Sequence, residues 1–182
     1  LAYNLKEAKV WSKSMKKLGF GLMRLPLTDP DDKKSIDMEH LCRLVDSFLA
    51  QGFTYFDTAY IYPGSEAVLG EILKKNAVRD QVYIATKLPH YLIKNKESLE
   101  TLFAEQLKRL RTDHVDYYLM HMLTDADTWG KLEAMGIAAW IEEKKKKGQI
   151  RQVGFSYHGN SDMFCRLVDA YDWDFCMIQY NY

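Results

Sequence analysis

The chain has 182 residues, enough to bury one sizeable core, and its 25 Lys and Arg balance its 25 Asp and Glu. That balance gives no global reason to expect nucleic acid or an anionic membrane surface as a partner. No apolar run approaches the roughly 20 residues of a membrane span, and the N-terminus lacks the apolar core of a signal peptide. The cysteines, Cys42, Cys165 and Cys176, have no CxxC or zinc spacing, so no metal site is expected. They read as packing residues, reduced thiols in a cytoplasmic protein.

Residues 1–14 show only weak periodicity and are set apart as an N-terminal extension of unknown role. Met15 looks like a natural start, so the domain is expected over 15–182. Leu18 to Met23 reads as a first strand, and Leu25-Pro26 with Asp29-Pro30-Asp31-Asp32 as loop. Ile36 to Gln51 has helical spacing, with Ile36, His40, Leu41, Leu44, Val45, Phe48 and Leu49 on one face and Gly52 closing it. Phe53–Phe56 is a second strand. Ser65 suits the N-cap of a helix running from about Glu66 to Lys75, with Val68, Leu69 and Ile72 inward.

Val82–Thr86 is a third strand, and Ser98 to Leu110 a helix whose stripe is Leu99, Leu102, Phe103, Gln106, Leu107 and Leu110. Val115–Met120 is a fourth strand, followed by a helix from Leu132 to Lys147 closed by Gly148. Ile150–Phe155 is a fifth strand, Met163–Ala170 a short helix and Phe175–Gln179 a sixth strand. The run Lys144 to Lys147 falls at a helix C-terminus, where the dipole favours cations, and reads as a solvated helix end.

Strand and helix alternate with no hairpin signals, the pattern of βα units around a parallel sheet. A dinucleotide fold would show a third glycine after Gly19-x-Gly21, but Arg24 stands there. The remaining architecture is a (β/α)8 TIM barrel, which takes eight units and typically about 250 residues. The chain supplies about six of the eight strands and is read as an incomplete barrel. With two sheet edges open, the segment alone is expected to be unstable or prone to aggregation, and inactivity as it stands is one expected outcome.

Polar residues fall at the strand ends. Asp57 ends the second strand, with Tyr62 in the loop beyond. Lys87 ends the third, His121 the fourth and Ser156 the fifth, and Gln179 lies on the sixth. Parallel strands bring these ends to one face, where barrel active sites sit. A tyrosine with a pKa of about 10 is a poor proton donor at neutral pH. A lysine ammonium nearby lowers that value, and Asp57 can hold the ammonium charged and aimed. Tyr62 then becomes a general acid toward a carbonyl oxygen gaining negative charge, help worth about 10²–10⁴-fold. His121 can donate a second hydrogen bond to that oxygen or orient the substrate. No side chain delivers hydride, so a cofactor must.

The segment Gly52 to Tyr62, with its Asp-Thr-Ala at 57–59, resembles the aldo-keto reductase family. So do Ile84-Ala85-Thr86-Lys87, Val115 to His121, and Ile150 to Ser156. The resemblance runs from about Lys17 to Tyr182. Around Phe20–Pro26 and Gln179–Tyr182 it is to bacterial members. It implies an NAD(P)H-dependent carbonyl reductase or alcohol dehydrogenase acting on a small-molecule aldehyde or ketone. Asp57, Tyr62, Lys87 and His121 would be the catalytic set. Ser156 and Gln179 would hold the nicotinamide carboxamide, and Met23 and Arg24 would lie near the cofactor, NADPH or NADH, with NADPH favoured by the resemblance. The chain departs from the family at Tyr157-His158, where Asn is usual after the strand-five serine, and at Pro63. Two alternatives stand beside this reading: a Schiff-base lyase using Lys87, and a non-catalytic barrel used as a binding or regulatory subunit. His90 and Tyr91 are candidates for the substrate mouth. Trp129 is balanced between a substrate wall and ordinary packing.

Overall fold

The structure, a computed structural model, describes residues 16–180. The extension expected at residues 1–14 lies outside them. Strands β1 (Gly19–Gly21), β2 (Tyr55–Asp57), β3 (Tyr83–Leu88), β4 (Val115–Met120), β5 (Ile150–Tyr157) and β6 (Phe175–Ile178) form one parallel sheet in chain order. Helices α1 (Met38–Ala50), α2 (Ser65–Asn76) and α3 (Lys96–Leu110) make the first three crossovers. The pair α4 (Ala126–Ala134) and α5 (Ile137–Lys146) makes the fourth, and α6 (Ser161–Asp169) the fifth. A strand order that never reverses is barrel topology; a doubly wound sheet has a switch point. The sheet curls far enough that Gly19 and Tyr55 at one end and Phe175 to Ile178 at the other line a single cavity of about 370 Å3. Six parallel strands with their outer helices thus make a partial (β/α)8 barrel.

Side chains alternate across the strands, as the period of two requires. Phe56, Ile84, Leu88, Tyr118, Met120 and Phe155 point outward into the main core under the helices. Ala85, Tyr117 and Leu119 point inward, joined by Tyr55, Tyr83, Phe175 and Met177. The inner set is aromatic-rich: Tyr117 packs on Tyr55 and Phe175 with ring centres 5.4 and 5.2 Å apart.

Several local expectations need correction. β1 is only three residues long, and the bond from the Leu22 N–H to the Asp57 carbonyl closes its last pair, Gly21 with Asp57. α1 begins at Met38, capped by the Asp37 side chain on the His40 N–H, while Ile36 forms a bridge with Leu27. His40 and Leu44 are exposed, and Leu41, Val45 and Phe48 carry the buried face. Gly64, not Ser65, caps α2; the Ser65 hydroxyl turns inward to the Leu22 carbonyl and to Thr58. The helix expected over Leu132–Lys147 is two helices broken at Gly136, whose φ of 87° disfavours a side chain.

The lysine run is more engaged than a solvated end. Lys144 is buried against Trp140 and bonded to Glu100, and Lys145 pairs with Asp174. Cys165 and Cys176 are exposed free thiols rather than packing residues, and Cys42 is half-buried. No described helix is long and apolar enough to cross a membrane.

Candidate active site

Alternation puts Asp57, Lys87, His121 and Ser156 on the inward side, at the C-terminal ends of β2, β3, β4 and β5. The register staggers them. Asp57 pairs with Ala85, so Lys87 stands two residues further along β3, and Lys87 pairs with Leu119, two residues before His121. That stagger is the shear of a barrel, and it steps the polar groups around the rim.

The Lys87 ammonium donates to Asp57 Oδ1 at 2.6 Å and to the Thr58 carbonyl at 2.7 Å. Lys87 is 2% exposed, so an unpaired ammonium there would be costly. Burial pushes the lysine down and the carboxyl up, and each is opposed by the other's charge. Asp57 Oδ2 is buried with no described partner.

Tyr62 sits in the turn after β2, half-buried. The Lys87 ammonium lies over its ring, 5.1 Å from the centre, and the His121 ring meets it edge-on at 5.8 Å. No described residue hydrogen-bonds the Tyr62 hydroxyl. The expectation that Lys87 lowers the phenol's pKa is not met in this arrangement: burial first, then the Asp57 carboxylate, push it up. The cause is geometric. The ammonium is bonded to Asp57 at 2.6 Å and only leans over the ring, 5.1 Å from its centre. His121 is pushed the other way, to about 4, by burial and then by Lys87, His90 and His158. Its ring is therefore neutral near pH 7, with Nδ1 buried and lacking a described partner.

The aldo/keto reductase family model matches residues 17–182. The chain belongs to the aldo-keto reductase family. It is 36% identical over 114 residues to the methylglyoxal reductase DkgB of Salmonella typhi, a match covering 62% of this chain and 40% of that protein. It is 32% identical over 135 residues to the aldo-keto reductase YhdN of Bacillus subtilis, covering 69% and 38%. Among solved structures, an aldo-keto reductase from Bacillus halodurans in its holo form superposes with a TM-score of 0.69 at 28% identity, covering 90% of this chain and 53% of that one. The chain thus spans less than half the length of these curated relatives.

In this aldo-keto reductase chain the expected cofactor residues divide into two groups. Ser156 is buried beside the tyrosine–histidine cluster, and its Oγ accepts the Met122 N–H at 2.8 Å, which leaves its own O–H to give. That bond holds Met122 at a φ of 52°, next to His121. Gln179 lies just past β6, exposed, with Oε1 3.1 Å from His158 Nδ1, so its amide N–H groups remain available. Met23 and Arg24 lie exposed in the turn after β1, and no hydrogen bond or ion pair from a described residue engages them. Tyr157 turns outward: it is buried on Phe164 and donates to the Asn160 carbonyl.

Trp129 is packing rather than a substrate wall. It is 1% exposed and wedged between Trp173 and Tyr171 at 4.5 and 4.9 Å. His90 is buried against the His121–Met122 backbone, while Tyr91 is exposed beside it. Sequence reasoning missed a polar cluster behind the site, centred on Glu66 and Gln106, both buried. One signal for it was available: Gln106 was the lone polar side chain in an otherwise apolar helical stripe.

Proposed function

We propose that this chain carries the proton-transfer machinery of an NAD(P)H-dependent reductase of small aldehydes or ketones. The observation that carries the reading is the meeting of Tyr62, Lys87 and His121 on one rim, with Lys87 paired to Asp57. Tyr62, kept protonated by burial and by Asp57, gives its proton to the carbonyl oxygen as negative charge develops there. Neutral His121 donates a second hydrogen bond and fixes the oxygen's position. Lys87 supplies positive field beneath the phenol and stabilises it as it loses its proton.

The rim fits a nicotinamide. The Ser156 hydroxyl and the Gln179 amide have donors to spare for a carboxamide. Asp57 Oδ2, at the C-terminal end of β2, lacks a described partner. When bound, the reduced nicotinamide supplies the hydride. Met23 and Arg24 would border it from β1. NADPH is the cofactor proposed first, on family preference, with NADH as the comparison. A relative named as a methylglyoxal reductase makes a small ketoaldehyde the natural first substrate to assay. We place the activity in the cytoplasm. A Schiff-base role for Lys87 is disfavoured, because an ammonium with two short acceptors is a poor nucleophile.

The test is consumption of NADPH and of NADH, separately, with methylglyoxal and a panel of aldehydes, by the wild-type chain and by Tyr62→Phe. Turnover unchanged in Tyr62→Phe would sink the mechanism.

A further inference from the structure

A second polar cluster lies on the outer side of β3, and the proposed reaction uses none of it directly. Glu66 opens α2 and is 1% exposed. Its Oε1 accepts from the Thr86 hydroxyl at 2.6 Å and from Gln106 Nε2 at 2.8 Å. Its Oε2 meets Arg109 at 3.3 Å. Gln106 is fully buried, accepts from the Tyr118 hydroxyl at 2.7 Å, and reaches the Lys87 carbonyl at 3.2 Å. Arg109 from α3 donates to the Tyr60 carbonyl at 3.2 Å, and its guanidinium lies 4.2 Å over the Tyr60 ring. Glu105 closes the circuit, bonding both Arg109 and the Tyr60 hydroxyl.

The junction is the Lys87 carbonyl. It accepts from Gln106 and, at 3.3 Å, from the Tyr60 N–H. Tyr60 lies in the short turn between Asp57 and Tyr62. One circuit therefore holds the backbone of Lys87 and the turn that carries Tyr62. Resting on the carbonyl-reductase reading, we propose that the Glu66–Arg109 pair is a positioning device. It sets Tyr62 against Lys87 by clamping Tyr60 and the Lys87 carbonyl from behind the sheet.

Two observations separate this from simple cohesion. The helices need no ion pair to meet, because Gly70 brings α2 directly against the Arg109 and Leu110 backbone, closer than any Cβ would allow. Also, a buried carboxylate is costly unless its partners are well placed, so packing alone favours an apolar residue at position 66. The polar groups are instead spent on the two backbone points that carry the rim. Glu66 adds negative field to Lys87 from the face opposite Asp57, which supports the ammonium.

The experiment compares the full chain with Arg109→Ala and with the near-isosteric Glu66→Gln. In Arg109→Ala, kcat for carbonyl reduction is expected to fall about 10- to 100-fold, the cost of a misplacement near 1 Å, with KM changed less than about twofold. Guanidinium at a few millimolar restores part of kcat, and sodium chloride at equal ionic strength does not. Independently of turnover, amide exchange at Tyr60 is expected to speed up about tenfold while the amides of β4 and β5 keep their protection. Glu66→Gln, which preserves volume, gives the same selective loss at Tyr60 if Arg109→Ala does not fold. Unchanged Tyr60 exchange in a folded variant overturns the proposal. So does a loss of protection spread evenly over the sheet without guanidinium rescue, which is the signature of cohesion alone. If the wild type reduces no carbonyl with either cofactor, the reductase reading fails, and Tyr60 exchange alone decides the clamp.

Discussion

Lys87 donates to Asp57 at 2.6 Å while standing 5.1 Å from the centre of the Tyr62 ring. The lysine is thus bound to the acid and only leans over the phenol. Its influence on Tyr62 is through space, along the ring face, and is reduced by the carboxylate it holds. Burial first, and then the Asp57 carboxylate, push the tyrosine's pKa up rather than down in the resting arrangement. Tyr62→Phe keeps the ring, its contact with Lys87 and its edge contact with His121, and removes only the hydroxyl, and with it the proton to be given. The expected outcome is a kcat loss of about 10²–10⁴-fold with nicotinamide affinity nearly unchanged. Single-turnover absorbance and quenching of tryptophan fluorescence read the two effects separately.

The same pair predicts a stability cycle. The two side chains are 3% and 20% exposed, so neither charge is well solvated. Lys87→Met leaves Asp57 without its ammonium and with Oδ2 already lacking a described partner. Removing one member of a buried pair costs about 3–5 kcal/mol. Adding Asp57→Asn removes the stranded charge, so the double variant should recover about 1–3 kcal/mol against the sum of the singles. Urea unfolding of the four proteins measures this, and strict additivity would show that the two groups are not coupled.

His121 gives a pH signature with a definite sign. Its folded pKa is held near 4, below the ordinary 6.5, because burial and Lys87 oppose a charge there. The unfolded chain therefore takes up the proton first as pH falls. Stability from this group is complete above 6.5, declines between 6.5 and 4, and is constant below that. The total is on the order of 3 kcal/mol, the equivalent of holding the ring near 4 rather than 6.5. His121→Gln should flatten that part of the pH–stability curve relative to wild type. His90, Asp57 and Glu66 also titrate from shifted values, so the difference between the two proteins is the quantity to read. Proton NMR of the His121 ring gives the midpoint directly, and a value near 6.5 would contradict the burial described here.

The rim was legible because its residues lie at strand ends, and alternation with parallel order is written into the apolar pattern. Asp57, Lys87 and His121 needed only a period of two and a common strand direction to be brought together. What the pattern could not carry was direction in the third dimension. Ser65 and Glu66 open a helix, and by helical rules they read as a cap and a first-turn acid. In the fold both turn inward, Ser65 to the Leu22 carbonyl and to Thr58, and Glu66 to Thr86 on β3. Trp129 stayed balanced between a substrate wall and packing until α4 formed around it and Trp173, in the loop between α6 and β6, came against it. The break at Gly136 was masked by good helix formers on both sides. Only the positive φ of one residue divides them.

Gly70 and Gly130 are both helical glycines, and the structure predicts opposite outcomes for the same substitution. In α2, a Cβ on Gly70 would run into the Arg109 carbonyl and the Leu110 backbone, which cannot swing aside as a side-chain tip can. Overpacking of this kind costs about 1–3 kcal/mol. The gain in helix propensity from Gly to Ala, about 1 kcal/mol, offsets only part of it. In α4, a Cβ on Gly130 would meet nothing within 4 Å. There the propensity gain stands alone, so Gly130→Ala is expected to stabilise. For a domain of this size each kcal/mol moves Tm by about 2–4 °C, well within the reach of calorimetry. Gly70→Ala also pushes α3 away from α2 one turn beyond Glu66, so it should speed amide exchange at Tyr60, whereas Gly130→Ala should not. Equal Tm gains in both variants would mean that α2 and α3 have room between them, and the close approach that seats Arg109 against Glu66 would have to be abandoned.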